Sequence, residues 1–176
     1  MPRWLRSYAS VIAVGILSTS AAIVIAQSRD QAPPPPPPPA KATGHVMIDA
    51  AQVKFAAGPP GLPAGAQFAV LDGDPSKPGG FSIRVKVPDG YVVPPHWHPT
   101  TENLVILSGS LMMGVGDKID EASMHALAAG AYAKMPGKTH HYVRAKGETT
   151  FQLYGTGPFA ITYVNPKDDP RKKTLP

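Results

Sequence analysis

The sequence GYVVPPHWHPTTE, residues 90–102, decides the fold and points to a functional site. Side chains alternate between the two faces of an extended strand, so His96 and His98 are expected to project to the same side. The short Pro-Thr-Thr turn then leads to Glu102, which begins an apolar run. Because a carboxylate at that position can return to an ion held by two imidazoles, the stretch predicts two consecutive strands that share a metal site.

A second stretch, MPGKTHHY at residues 135–142, offers a further ligand. Adjacent residues of a strand point to opposite faces, so only one of His140 and His141 is expected to reach the same ion. Ordinary surface or core histidines are the alternative, but four of the six histidines fall within these two stretches. His45 and His125 have no such neighbours and are interpreted as ordinary.

The chemistry of these residues limits the cofactor. Three imidazoles and one carboxylate suit a single divalent transition metal, whether Fe, Mn, Ni, Zn or Cu. The chain contains no cysteine, which excludes disulfides and thiolate metal sites. We therefore expect one metal ion bound by nitrogen and oxygen ligands.

Short β-like runs continue on both sides of these stretches, separated by turns rich in Gly, Pro and Asp. The 22 prolines and 17 glycines among 176 residues favour many short strands over long helices. A single helical turn is predicted within residues 120–127. The predicted strands cover residues 46–55, 67–71, 81–87, 91–97, 102–107, 111–115, 125–128, 131–135, 142–145, 150–154 and 160–164. Many strands at short spacing indicate an all-β domain, either a sandwich or a barrel.

The two histidine stretches also carry a family resemblance. The pattern G-x5-H-x-H-x3-E-x6-G over residues 90–109 resembles the first cupin motif at full spacing, and G-x5-P over residues 130–136, followed by two histidines, resembles the second. The resemblance implies one cupin domain over roughly residues 61–164, folded as a double-stranded β-helix (jelly-roll) barrel. Residues 72–79 and 157–166 are similar to a secreted, largely uncharacterised bacterial cupin subgroup.

One departure from the second motif affects the choice of ligand. Cupins usually place a glycine two residues after the motif proline, but Lys138 stands there, with Gly137 one position earlier. Counting from Pro136 selects His141, and counting from Gly137 selects His140. We choose His141, since proline fixes its own backbone, and the resemblance then implies a metal site of this histidine with the two histidines and the glutamate of the first motif.

Two functions remain open at the level of sequence. The resemblance implies oxygenases, isomerases and related lyases, so a metal-dependent dioxygenase or isomerase acting on a small molecule is one hypothesis. Glu102 is then the candidate catalytic base. The alternative is a non-catalytic small-molecule or metal-binding module of the cell envelope, since similar sites serve unrelated chemistries.

The N-terminal 43 residues predict export. Residues 1–26 carry two arginines, an apolar run and small residues at the cleavage positions, as in a signal peptide, and predict a periplasmic or secreted protein. An uncleaved membrane anchor is the alternative. Residues 27–43 form a linker whose seven consecutive prolines make a stiff spacer. We expect these segments to lack a fixed fold, a barrel domain over residues 44–166, and a basic tail over residues 167–176.

The net charge of +5 does not indicate a nucleic-acid partner. Arg3 and Arg6 of the signal segment and Arg171, Lys172 and Lys173 of the tail account for it, which leaves the rest of the chain near neutral. We expect no nucleic acid as partner.

The strand that begins at Glu102 is apolar on both faces. Leu104 and Ile106 are expected to face inward with Glu102, while Val105 and Leu107 lie on the opposite face. A second apolar face is normally covered. We therefore expect either a homodimer or a flap from residues 46–55.

Overall fold

A computed structural model describes residues 44–172. The expected signal and linker, residues 1–26 and 27–43, therefore lie outside the described residues. Nine strands form a single antiparallel sheet, and four short 3-10 helices lie between or after them. The strands are β1 (Ala56–Ala57), β2 (Gln67–Asp72), β3 (Gly79–Val87), β4 (Val92–Trp97), β5 (Glu102–Val115), β6 (His125–Ala128), β7 (Tyr132–Met135), β8 (His141–Gly157) and β9 (Thr162–Tyr163). The 3-10 helices are Ala50–Gln52, Glu121–Ser123, Pro166–Asp168 and Pro170–Lys172.

No helix among residues 44–172 is long and apolar enough to cross a membrane.

The long antiparallel ladder between β5 and β8 organises the sheet. The first half of β5 lies between β7 and the second half of β8, whereas its second half lies between β6 and the first half of β8. β3 pairs with the second half of β8, and β4 pairs with the first half. The two halves of one ladder thus belong to two opposing layers, which is the expected double-stranded β-helix (jelly-roll) barrel.

A bulge in the middle of β5 bends the strand from one layer into the other. Its register to β8 shifts twice between Ile106 and Ser110. The buried positions change from Leu104 and Ile106 to Leu111 and Met113, an odd step that keeps both halves facing the core. The buried hydroxyl of Thr149 accepts a hydrogen bond from the Ser110 amide at 3.2 Å, so the irregular backbone is not left without a partner.

Alternation along the other strands completes the core. β3 buries every second residue from Phe81 to Val87, as a strand with one inward face should. These side chains pack against inward residues of β5 and β8, such as Leu104, Phe151 and Leu153. The core therefore fills the space between the two layers.

Three predictions for the strands were wrong in detail. Residues 46–55 form no strand: Asp49 caps the helix Ala50–Gln52, and Met47 is 81% exposed. No neighbouring strand pairs with this segment among the described residues. The β-propensity of its residues is therefore not supported by cross-strand contacts. Two strands were predicted at residues 102–107 and 111–115, but both belong to β5. Likewise, the two predicted at residues 142–145 and 150–154 both belong to β8, because the bulge bends the backbone without ending the strand.

The predicted cover of the outer face by residues 46–55 is also not observed. Instead, the loop with Glu121–Ser123 lies over Tyr142, whose hydroxyl accepts a hydrogen bond from the Asp120 amide at 3.0 Å. Leu107 stays 43% exposed. The homodimer remains a prediction.

The start of the expected basic tail packs on the domain. Residues 167–172 belong to the last two 3-10 helices and the residue between them. Arg171 donates a hydrogen bond to the Ile161 carbonyl at 3.2 Å and pairs with the buried Asp169 at 2.8 Å. These contacts attach the described part of this segment to the barrel.

The bend gives a prediction for stability. Gly109 and Gly147 both have left-handed backbones, with φ of 74° and 76°. A Cβ at Gly109 would lie 2.3 Å from the Glu148 carbonyl oxygen, whereas nothing lies within 4 Å of one at Gly147. Gly147→Ala should therefore lower the free energy of unfolding by only about 1–2 kcal/mol, and Gly109→Ala by about 1–3 kcal/mol more. Urea denaturation measures both, and equal losses would contradict a sterically closed bend.

Candidate metal centre

β4 and the residue after it position the first two histidines. The register of β4 to β8 shifts between Val93 and His96, where two prolines lack the amide hydrogen that a regular ladder needs. Pro95 and His96 are consequently both buried, and the alternation restarts at His96. His96 and His98 therefore both point into the barrel, as the spacing predicted.

His141 and Glu102 reach the same place from opposite ends of the β5–β8 ladder. Glu102 pairs with Gly155 at one end, and His141 pairs with Val115 at the other. A straight strand of this length would separate the ends by about 40 Å, at ~3.3 Å per residue. Because the ladder is folded over at its bulge, Glu102 Oε2 lies 3.1 Å from His141 Nε2.

The four side chains form one buried cluster. The ring centroid of His96 lies 5.0 Å from that of His98 and 4.2 Å from that of His141. One ring nitrogen from each of the three histidines lies within 4.8 Å of the others. Glu102 Oε2 lies 3.8 Å from His98 Nε2. All four residues are buried, so the structure brings together every residue of the expected ligand set.

Backbone carbonyls orient the three imidazoles. The Nδ1–H of His96 donates to Pro94 O at 2.7 Å, that of His98 to Ala160 O at 2.8 Å, and that of His141 to Thr139 O at 2.9 Å. A carbonyl can only accept, so the proton is assigned to Nδ1 and the lone pair to Nε2. The Nε2 atoms of all three rings are thereby available as ligands.

Burial and mutual contacts set the charges of the cluster. Burial, reinforced by the other two histidines, lowers the pKa of His96 to about 3, and burial also lowers the pKa of His98. Burial by itself would raise the pKa of Glu102, but the neighbouring histidines outweigh it and the pKa is lowered. The contact with Glu102 likewise outweighs burial at His141, whose pKa is raised. The cluster without metal thus holds a carboxylate beside an imidazole that readily keeps a proton.

The turn before β8 explains why His141 joins the cluster. Lys138 has a φ of 66°, the left-handed conformation in which a glycine is usual. Gly137 is needed for a different reason: it allows close approach of the Pro99 carbonyl, whose oxygen would lie 2.7 Å from a Cβ at this position. The turn is therefore counted from the proline, as expected, with a lysine in the place of the glycine. His140 is more exposed and contacts Asp117 instead.

The chain after β8 supplies two contacts that the sequence did not predict. The ring of Phe159 stacks on His98, with centroids 4.2 Å apart and planes at 17°. The carbonyl of Ala160 is the acceptor for the same histidine. Phe159 and Ala160 are neighbours in the sequence, but no pattern of residue types marks either the stacking ring or the accepting carbonyl. His45 and His125 are exposed and lie outside the cluster.

A cavity of about 640 Å³ adjoins the cluster inside the barrel. His96 and His98 line it, together with apolar residues of β2, β3, β4 and β8. Glu102 and His141 are not among the lining residues. The cavity therefore meets the cluster on the side of the first two histidines, and its volume suits a small organic molecule.

The assigned proton positions can be tested directly. In metal-free protein at about pH 8, His96 and His98 should be neutral with the proton on Nδ1, because their pKa values are lowered and Nδ1 faces a carbonyl. Long-range ¹H–¹⁵N correlation spectra of the imidazoles measure this, with the exposed His125 as internal reference. A proton on Nε2 of either ring would show that the lone pairs do not converge.

Comparisons with known proteins agree with this architecture. The profile of the family described as "Cupin domain" matches residues 83–156. No curated protein matches the sequence. Among solved structures, the polyketide cyclase RemF from Streptomyces resistomycificus is similar with a TM-score of 0.58 at 15% identity, covering 76% of this chain and 95% of that chain.

Two further structures are similar in fold. A candidate acetylacetone dioxygenase from Methylibium petroleiphilum has a TM-score of 0.56 at 18% identity, over 72% of this chain and 85% of that chain. An RmlC-like cupin from Shewanella frigidimarina has a TM-score of 0.50 at 13% identity, over 66% and 94%. At these identities the likeness concerns the fold. With the two sequence motifs and the shared barrel fold, the matching family profile identifies a cupin domain at residues 83–156 of this chain.

Proposed function

We propose that the barrel binds one divalent transition metal through His96, His98, His141 and Glu102, and that the ion acts on a small molecule in the adjoining cavity. The single observation behind this proposal is the convergence of three Nε2 lone pairs, each fixed by a carbonyl on Nδ1. Three nitrogens and an oxygen suit Fe, Mn, Ni, Zn or Cu.

The carboxylate supports this assignment. Glu102 Oε2 is fully buried and has no hydrogen bond of regular geometry among the described residues; His141 Nε2 lies 3.1 Å away. A buried anion without a well-aligned donor is costly. A cation among the four side chains would remove that cost and displace the proton that His141 tends to hold.

The position of the cavity supports an enzymatic role, as a metal-dependent dioxygenase or isomerase. When bound, the metal supplies a Lewis acid and coordination positions beyond its protein ligands. His96 and His98 present the site to the cavity, while the apolar wall excludes water from a bound molecule. The chain's own residues would thus orient a bound substrate and shield it from water.

The role of Glu102 as a base remains a prediction. Its carboxylate lies behind the histidines that line the cavity and contacts His98 and His141. This position suits Glu102 as a metal ligand that stays in place better than as a base that contacts the substrate. A base at Glu102 would have to leave its contacts first.

The alternative, a non-catalytic binding module, has an observation in its favour. Apart from the two histidines, the only titratable or hydroxyl side chains in the cavity wall belong to Lys54, Ser76 and Tyr91. Tyr91 donates to Pro63 O at 2.7 Å, and burial raises its pKa. The described wall therefore offers little for general acid–base chemistry, and such a protein would carry or sense its ligand.

Location in the periplasm or outside the cell is part of the proposal. It rests on the sequence of residues 1–26, whose arginines, apolar run and small residues are typical of an export signal.

Metal content tests the site with a matched pair of adjacent histidines. His141→Ala should reduce bound metal from about one per chain to nearly none, because it removes an Nε2 ligand. His140→Ala should keep it, because His140 faces Asp117. Elemental analysis of purified full-length protein measures both, with circular dichroism to verify folding. Loss of metal from His140→Ala alone would contradict the assignment.

Water exchange separates an enzyme from a module that only stores the metal. With Mn²⁺ in the site, an enzyme should keep an open coordination position and enhance water-proton relaxation, whereas a closed structural site should not. A substrate that binds in the cavity should then lower the enhancement. Relaxation equal to that of a Mn²⁺ site with no exchangeable water would contradict the enzymatic proposal and favour a storage site.

A further inference from the structure

The wall of the cavity beside the cluster of His96, His98, His141 and Glu102 is largely apolar. Among the described residues that line it, only five have polar side chains, namely Lys54, Ser76, Tyr91, His96 and His98. The rest are apolar and include the aromatic side chains of Phe68, Phe151 and Phe159. Small-molecule sites typically add a small number of placed polar groups to such a wall, and these groups fix the orientation of the ligand.

Four of these five polar side chains already make a hydrogen bond within the protein. The hydroxyl of Tyr91 donates to Pro63 O at 2.7 Å, and that of Ser76 donates to Asp74 Oδ1 at 2.6 Å. Lys54 is exposed at the edge of the cavity. The two histidines use Nδ1 on backbone carbonyls. A sugar with several hydroxyl groups would therefore lose water without gaining a matching number of partners, which is unfavourable.

One end of the cavity differs from the rest. His96 and His98 face it there, and the ring of Phe159 stacks on His98 while also lining the cavity. A single donor atom at that end can reach the ion between the two imidazoles. An aromatic body behind it can pack against Phe159 and Phe151.

We propose that the cavity binds a largely apolar aromatic molecule with a single oxygen donor, its oxygen at the ion and its rings against the apolar wall. This inference rests on the proposed metal site and names its class of ligand. The cavity volume of about 640 Å³ accommodates a fused-ring compound.

Equilibrium dialysis of zinc-loaded full-length protein tests the ligand class with three probes. 1-Naphthol has an aromatic body and one oxygen, naphthalene has the body alone, and glucose has oxygens on a polar body. We expect 1-naphthol to bind at least about tenfold more tightly than either of the others, and to lose its advantage over naphthalene when zinc is removed. Equal binding of glucose and 1-naphthol, or of naphthalene and 1-naphthol on zinc-loaded protein, would overturn the proposal.

Two exposed alanines on short edge strands give matched variants for the location. Ala57 lines the cavity, whereas Ala126 does not. Ala57→Trp should obstruct the entrance and weaken 1-naphthol binding at least about tenfold, while Ala126→Trp should leave it unchanged. Unchanged binding in Ala57→Trp would place the ligand elsewhere and reject the inference.

The zinc content of the same samples separates the two proposals. Protein that retains no zinc contradicts the proposed function, and with it this ligand class. Protein that holds about one zinc per chain but does not bind 1-naphthol contradicts the ligand class alone.

Discussion

The folding of the β5–β8 ladder onto itself is the constraint on which the rest of the structure depends. Its bulge lets a 14-residue strand change layers while both halves keep their apolar side chains in the core. The same bend brings Glu102, at one end of the ladder, against His141, at the other. The assembly of the polar cluster thus depends on the closure of the barrel.

The cluster within the closed barrel is held by hydrogen bonds rather than by packing alone. Each imidazole donates Nδ1–H to a carbonyl, two of them only two residues earlier in the chain and one in the segment after β8. These bonds fix the ring orientation before any ion binds, which lowers the entropy lost on binding. They leave three lone pairs and a carboxylate facing one another, an arrangement that is unfavourable unless a cation or proton lies among them.

The cavity beside the cluster has the opposite character. Its wall is apolar, and most of its few polar side chains are engaged within the protein. Charge is therefore concentrated on one side of the barrel interior and nearly absent from the other. Under the proposed function, an ion held by the cluster would supply the polar recognition, and the wall would contribute shape and exclusion of water.

Sequence by itself determined the all-β class, the shared inward face of His96 and His98, and the carboxylate that follows them, because these depend on alternation and on residues close in the chain. It did not determine that residues 46–55 form no strand, or that each pair of predicted strands is one bent strand. The convergence of Glu102 and His141, the stacking of Phe159 and the acceptor at Ala160 were decided by the tertiary structure. They join residues that are distant in the chain, and such contacts exist only once the ladder has folded and the sheet has closed.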